Sequence, residues 1–247
     1  MTFRVAGRLV WLAYEVTAAL FDYLFDVVLN APQDLRSARA DWMHRAACSH
    51  LKIFGGFAKV SGEIPKSGLL VSNHLSYLDI VVICSVAPTV FVSKAEVQNW
   101  PVFGLLAKMG GTIFIQRERR TQVGEVNDEI DKALTAGALV VIFPEGTSSN
   151  GETVLPFRAP LLEPALRGGH MISIACIQYE IDDGDPKTEV CYWGNHTFFP
   201  HLMNLLGKKS VRASLRFGKF NRTTDDRKEL AKQLHTAVLE LKATEVE

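Results

Sequence analysis

The stretch that decides the fold runs from Gly68 to Asp79 and reads Gly-Leu-Leu-Val-Ser-Asn-His-Leu-Ser-Tyr-Leu-Asp. The apolar run 68–71 predicts a short buried strand, and a second apolar run, 80–84, follows the polar residues directly. His74 therefore stands just after a strand, and Asp79 lies five residues further on. If Asp79 opens a helix, the turn returns its carboxylate to the imidazole, where it can fix the tautomer of a general base.

The rest of the chain alternates between short apolar runs and amphipathic stretches, which predicts an α/β fold. Strands are predicted at 68–72, 89–93, 112–115, 138–143, 171–179, 188–192 and 210–217. A strand-like run at 57–60 precedes them. Helices are predicted at 79–86, 102–109, 122–136, 160–167, 201–206 and from about 225 to 243. We therefore expect a layered, mixed and mostly parallel sheet that is flanked by helices.

Two amphipathic helices are predicted before the sheet, and we place a boundary between residues 1–56, which hold them, and residues 57–247. The charged residues of the first helix fall on one narrow stripe and leave a wide apolar face. They are Arg4, Arg8, Glu15, Asp22 and Asp26. From the pattern alone, this helix either lies in a membrane interface or packs on the protein's own core. A tilted membrane span whose stripe faces protein also stays open.

Composition narrows the class of protein. The 27 basic and 27 acidic residues give a formal net charge of zero, so the overall charge does not indicate a nucleic-acid partner. Three of the four cysteines, Cys84, Cys176 and Cys191, lie in apolar runs without close pairs, which favours a reducing compartment over disulfides. The scattered histidines and cysteines predict no metal site.

Two further polar residues follow predicted strands in the same way as His74. Arg117 comes after the strand at 112–115, and Glu145 after the strand at 138–143. Ligands collect at the carboxyl ends of the strands in open α/β sheets. If the strands are parallel neighbours, the three side chains converge on one edge of the sheet.

The spacing Asn73-His74-x-Ser76-x-x-Asp79 resembles the first motif of the glycerolipid acyltransferases, which include bacterial 1-acyl-sn-glycerol-3-phosphate and lysophospholipid acyltransferases. The runs 111–117 and 143–147 resemble the second and third motifs, in the family's order, and the resemblance covers about residues 40–220. One block departs from the family. Its fourth motif is a strand that carries a proline, whereas the run 171–178 contains none.

The resemblance implies transfer of a fatty acyl group from a thioester to a hydroxyl, with His74 as the base and Asp79 as its partner. Because such enzymes use lipid acceptors, it also favours residues 1–56 as a membrane-association segment and 57–247 as the acyltransferase catalytic domain. It also implies a set of residues that bind the substrates, in which Arg117 takes the phosphate of the acceptor. The set is Arg117, Glu145, Gly146, Thr147, Asn73, Ser76 and Lys94. Glu145 would accept from an acceptor hydroxyl or pair with Arg117, while Asn73 and Ser76 are equally suited to cap a helix.

Several functions stay open at the level of the sequence. The leading one makes phosphatidic acid from 1-acyl-sn-glycerol-3-phosphate, with acyl-coenzyme A or acyl carrier protein as donor and no other cofactor. A lyso-ornithine lipid or another lysolipid could replace that acceptor. The different classes are a lipid hydrolase, in which His74 activates water, and a non-catalytic lipid-binding protein. The expected location is the bilayer surface, on the cytoplasmic face of a bacterial inner membrane.

Overall fold

The computed structural model describes residues 3–116 and 120–244, without the side chains of 120–122. Within these residues the strands are β1 (Phe57–Ser61), β2 (Gly68–Ser72), β3 (Val90–Lys94), β4 (Ile113–Ile115), β5 (Leu139–Ile142), β6 (Ile172–Ile181) and β7 (Val211–Phe220). The α-helices are α1 (Phe3–Tyr23), α2 (Leu35–Ile53), α3 (Leu78–Val86), α4 (Phe103–Met109), α5 (Arg120–Thr135), α6 (Glu163–Arg167), α7 (Pro186–Glu189), α8 (Phe198–Gly207) and α9 (Arg227–Ala243). A π-helical stretch, Leu24–Leu29, continues α1.

The seven described strands form one sheet in the order β1-β7-β6-β2-β5-β3-β4. The strands from β6 to β4 in this order run parallel to one another. β7 pairs antiparallel with β6, and β1 runs parallel to β7. The predicted architecture, a mixed and mostly parallel sheet flanked by helices, is confirmed.

The central strands read as unbroken apolar runs because both of their faces are covered. On β2, Leu70 packs into the core layer that holds α2, α3 and α8. Its neighbours Leu69 and Val71 point to the opposite layer, with α5, α6 and α9. All five residues of β2 are buried, and so are all four of β5. Helices on both sides therefore hold the two strands whose carboxyl ends lead to His74 and Glu145.

One predicted strand is wrong, the one at 188–192. The chain there forms the short helix α7 and then an irregular segment. Asp185 caps the helix by accepting a hydrogen bond from the Lys187 amide at 3.0 Å, and Pro186 occupies the first turn, where a proline is tolerated. Val190 and Cys191 are buried in the core, which explains why this segment is apolar and was predicted to be a strand.

The two ends of the charged stripe of α1 contact the rest of the protein, while Glu15 in its middle accepts a hydrogen bond from Trp11 of the same helix. Arg8 donates from Nη1 to the Lys208 carbonyl at 2.5 Å, and Arg4 donates to the Gly207 carbonyl at 3.0 Å. These contacts satisfy carbonyls at the C-terminus of α8, where cations are favoured. Further along, Asp26 pairs with Arg45 of α2 at 2.5 Å. The stripe thus orients the helix on the rest of the protein.

The side of α1 and its π-helical extension that points away from the core carries large apolar side chains in contact with solvent. They are Phe3, Val10, Trp11, Tyr14, Leu20, Phe21, Leu24, Phe25, Val28 and Leu29. Among the described helices, none combines the length and the apolar character that a membrane crossing requires. The predicted domain boundary after residue 56 stays a prediction.

Candidate active site

The turn after β2 is tied to the neighbouring strand β6 by a buried amide side chain. Asn73 donates from Nδ2 to the Ile177 carbonyl at 3.0 Å and accepts from the Ile177 amide at 2.8 Å. This pair of bonds continues the β2–β6 pairing past the end of β2 and fixes where the next residue, His74, leaves the sheet. Both polar atoms of Asn73 therefore have partners, and its predicted contact with a substrate stays a prediction.

His74 and Asp79 form a hydrogen-bonded pair, with 2.7 Å between Nδ1 and Oδ2. Asp79 lies in the first turn of α3, as the sequence predicted, and is wholly buried. Its Oδ2 also accepts from the backbone amides of Leu75, at 2.7 Å, and Ser76, at 3.1 Å. Asp79 rather than Asn73 or Ser76 therefore supplies the side-chain hydrogen bonds at the start of this helix.

The pairing decides which ring nitrogen of His74 can act. A carboxylate accepts hydrogen bonds and cannot donate, so Nδ1 carries the proton and Nε2 is left as the basic nitrogen. The His74 side chain is 21% exposed while that of Asp79 is 0% exposed, so the imidazole is accessible from solvent and the carboxylate is shielded from water. This arrangement is the one that a general base requires.

The ring of Phe143 fixes the plane of the His74 imidazole. The two ring centroids lie 4.2 Å apart with an interplanar angle of 16°. Phe143 directly follows β5, so two adjacent parallel strands supply the histidine and the surface on which it stacks. In the sequence, Phe143 is only a member of the third motif, and nothing there indicated that it would stack on His74.

Glu145 supports the same turn through its backbone contacts. Its Oε1 accepts from the His74 amide at 2.9 Å, and its Oε2 accepts from the Leu155 amide at 3.2 Å. Burial raises the pKa of the Glu145 carboxyl to about 7, against the opposing effect of these two bonds. The carboxylate therefore joins β5, the His74 turn and the segment before α6. Its predicted contact with an acceptor stays a prediction.

A cavity of about 260 Å³ opens beside His74. Three of the other residues that we predicted to bind substrate line it, namely Lys94, Gly146 and Thr147. Gly146 has a φ of +80°, a conformation that favours glycine and lets the backbone turn sharply after β5. Ser76 is buried and does not line the cavity. Arg117 lies outside the described residues.

Aromatic side chains that the sequence analysis did not single out form the wall of this cavity. Tyr77, Trp100 and Tyr192 contact one another with ring centroids 5.4–6.3 Å apart. Tyr77 and Trp100 also line a second, apolar cavity of about 100 Å³ between the N-terminal helices and α3, α4 and α8. These two rings therefore stand between the space at His74, which polar and apolar side chains both line, and an apolar space next to it.

A second residue that sequence analysis missed is Tyr179 of β6. Its hydroxyl donates to Oδ1 of Asp79 at 2.6 Å, and the residue is buried. A tyrosine within an apolar strand requires a partner for its hydroxyl, so its presence in the run 171–179 was the signal available in the sequence. The partner itself could not be identified without the sheet order.

The sequence of this chain is similar to those of known acyltransferases. A family model described as Acyltransferase matches residues 58–179. The lyso-ornithine lipid O-acyltransferase of Brucella abortus is 32% identical over 242 residues, covering 92% of this chain and 88% of that protein. The lyso-ornithine lipid O-acyltransferase of Pseudomonas aeruginosa is 35% identical over 208 residues, covering 83% and 78% respectively.

Relatives with a different named acceptor match over a shorter length. The 1-acyl-sn-glycerol-3-phosphate acyltransferase of Neisseria meningitidis is 34% identical over 130 residues, or 53% of this chain and 51% of that protein. The crystal structure of the 1-acyl-sn-glycerophosphate acyltransferase from Thermotoga maritima aligns with a TM-score of 0.63 at 19% identity. That alignment covers 99% of this chain and 100% of the other, and it supports the fold.

Proposed function

This chain belongs to the acyltransferase family, and from that premise we propose that it moves a fatty acyl group from an acyl thioester to a lysolipid hydroxyl, with His74 as general base. The observation that carries the proposal is the hydrogen bond from Nδ1 of His74 to the buried Asp79, which leaves Nε2 as the basic nitrogen at the cavity. A binding protein would have no need of this oriented base.

The reaction then runs in two proton transfers. Nε2 of His74 takes the hydroxyl proton as the acceptor oxygen attacks the thioester carbonyl carbon, and Asp79 stabilises the imidazolium that forms. The tetrahedral intermediate expels the sulfur, and the imidazolium returns the proton to it. The products are the acylated lipid and a free thiol. A thiol is a good leaving group, since its pKa is about 8.5, so activation of the hydroxyl is the demanding step.

The acceptor that the comparisons favour is a lyso-ornithine lipid. Three relatives with that name align over 71–92% of this chain and a fourth over 56%, against 53% for the Neisseria 1-acyl-sn-glycerol-3-phosphate acyltransferase. The latter acceptor remains the second candidate, because the first three motifs match its family. The anionic group of either lipid would meet Lys94 at the cavity wall, and Arg117 is proposed to add a second cation.

The apolar cavity beside the site is the proposed place for an acyl chain. Its walls are formed almost entirely by apolar side chains, and it shares Tyr77 and Trp100 with the cavity at His74. Its volume of about 100 Å³ is small for a long chain, so we expect adaptable residues such as Met43 to shift on binding. A chain held there would have its carbonyl near the base.

The exposed apolar face of α1 is the proposed membrane contact. Arg8 and Asp26 hold the helix against α8 and α2, and the large apolar side chains on the side away from the core are exposed. A helix of this kind lies in the plane of the interface. Because thioester donors are made in the cytoplasm, we place the enzyme on the cytoplasmic face of the membrane.

The test measures thiol release from an acyl-coenzyme A or an acyl carrier protein donor, with lysolipids supplied one at a time in mixed micelles. We expect release to depend on a lysolipid and to fall at least 10²-fold in His74→Ala. His170→Ala is the matched control, because His170 also pairs with a carboxylate, Asp131, but lies just before β6, away from the cavity. Release without an acceptor would indicate a hydrolase, and a fully active His74→Ala would refute the base.

A further inference from the structure

We propose that Tyr179 is a positioning residue for acyl transfer, whose hydroxyl holds the Asp79 carboxylate in the orientation that aligns His74. The inference rests on the proposed role of His74 as the base. Tyr179 lies near the end of β6 and is 100 positions from Asp79 along the chain. The β2–β6 pairing brings the two together.

The two oxygens of Asp79 have separate partners. Oδ2 accepts from the His74 ring and from two backbone amides of the turn, while Oδ1 accepts from the Tyr179 hydroxyl at 2.6 Å. The torsion that rotates an aspartate carboxylate is soft, because an sp³–sp² bond has broad minima. A donor fixed on a strand of the sheet therefore restricts the rotation of a carboxylate that the turn holds from one side.

The Tyr179 hydroxyl keeps its proton, and so remains a donor, beyond the pH at which a tyrosine ordinarily titrates. Burial raises the pKa of Tyr179 well above its ordinary value, and the adjacent Asp79 carboxylate raises it further. Other titratable groups face the pair from neighbouring segments. Cys191 follows α7, and burial raises its pKa to about 12, so it stays neutral. Glu145 follows β5, and its raised pKa of about 7 makes its titration one that an experiment must separate.

Tyr179→Phe keeps the ring in place and removes only the donor. The Asp79 carboxylate then loses a hydrogen bond, becomes a stronger acceptor for the His74 ring, and favours the imidazolium. We expect kcat to fall about tenfold with unchanged KM for donor and acceptor. We also expect the acidic limb of the kcat profile to move to higher pH, which a purely structural role would not produce.

The opposite change is available at the same position. Incorporating 3-fluorotyrosine at position 179 makes the phenol a stronger donor with almost no change in shape. Its hydrogen bond draws charge away from the His74 pair, so the acidic limb should move to lower pH. If Tyr179→Phe fails to fold, the protein with 3-fluorotyrosine at position 179 still tests the proposal.

The deciding experiment follows the His74 ring by NMR in full-length protein with ¹⁵N-labelled histidine, in parallel with kinetics. Its titration midpoint should rise in Tyr179→Phe and fall with 3-fluorotyrosine, and both shifts should persist in Glu145→Gln, where the carboxyl at 145 no longer titrates. Tyr23→Phe is the matched control, since it deletes the hydroxyl of a tyrosine that packs on Trp42, far from the pair.

The two possible failures differ in what they change. An unmoved midpoint in both Tyr179 proteins, or a lower folded yield with wild-type kcat and pH profile, would overturn the role of Tyr179. A shifted midpoint with wild-type transfer activity would instead overturn the assignment of His74 as the base.

Discussion

The turn after β2 and the first helix of the chain place polar and apolar groups in opposite ways. At the turn, the carboxylate of Asp79 is wholly buried and accepts four hydrogen bonds. On α1 and its extension, Phe21 and Phe25 are more than half exposed. A buried charge needs hydrogen-bonding partners that offset its lost hydration. A large exposed apolar patch usually marks a surface that binds a partner or a membrane.

The two regions differ in what covers them: the turn is covered by the protein itself, whereas the outward face of α1 is not. The turn is held within the protein, because the contacts that orient His74 come from α3, from the segment that follows β5 and, through Asp79, from β6. The outward face of the helix is covered only if a second surface, the proposed membrane, lies against it. Changes at the turn should therefore alter catalysis or stability in any medium, whereas changes on the helix should matter only when lipid is present.

The largest effect is expected from Asp79→Asn. The amide can no longer serve as an anionic acceptor for Nδ1, so the wrong tautomer is favoured and the imidazolium is not stabilised. We expect kcat to fall by about 10²–10⁴-fold. Asp131→Asn, which alters the other histidine–aspartate pair in the described part of the chain, should leave kcat near wild type. Comparable losses in the two variants would contradict the special role of the turn.

Asn73→Ala should destabilise the protein even though it leaves His74 and Asp79 unchanged. The amide and carbonyl of Ile177, a residue with no exposed surface, would both lose their partner. Two buried unpaired groups cost about 2–4 kcal/mol in the free energy of unfolding, which urea denaturation measures. Asn204→Ala, at an exposed site, should cost less than about 0.5 kcal/mol. A loss of activity without a loss of stability would favour substrate contact at Asn73 instead.

Glu145 should make the stability of the protein depend on pH. The unfolded chain gives up this proton near pH 4.5, whereas the folded protein holds it until about pH 7. Stability from this group is therefore full below pH 4.5 and is lost as the pH rises towards 7. Each unit of pKa corresponds to about 1.4 kcal/mol, so the fall should be on the order of 3 kcal/mol.

Urea unfolding of wild type and Glu145→Gln at several pH values isolates this contribution, since the other groups cancel in the difference. Glu152→Gln is the control, because Glu152 is exposed and Lys187 lowers the pKa of its carboxyl. The prediction fails if the difference between wild type and Glu145→Gln does not change between pH 4.5 and 7.

The smallest effect is expected from Phe25→Ser. Phe25 is 59% exposed on the proposed membrane face, and moving its ring into lipid is worth about 1–2 kcal/mol. Vesicle co-sedimentation should show roughly tenfold weaker partitioning, with unchanged turnover of short-chain substrates in detergent. Phe57→Ser is matched in exposure, at 54%, but lies on β1. If both changes weaken partitioning equally, the membrane contact is not confined to the helix.

Much of the fold was predictable from the sequence because its signals are local. The apolar run before His74 and the carboxylate five residues later predicted the strand, the turn and the start of α3. The strand predicted at 188–192 was wrong because buried residues in a loop carry the same apolar signal as a short strand. A run of apolar residues indicates that the segment is buried. The hydrogen bonds that distinguish a strand from a loop depend on partners that are distant in the sequence.

The sequence by itself determined the α/β class, the His74–Asp79 pair and the charged stripe of α1, since each depends on spacing within a few turns of the chain. Only the tertiary structure decided what these residues touch. Sheet order placed Tyr179 against Asp79 and Glu145 against the His74 amide, and helix packing placed Arg8 against α8 and Asp26 against α2. These contacts join residues that lie between 19 and 200 positions apart, and no local pattern encodes which strands become neighbours.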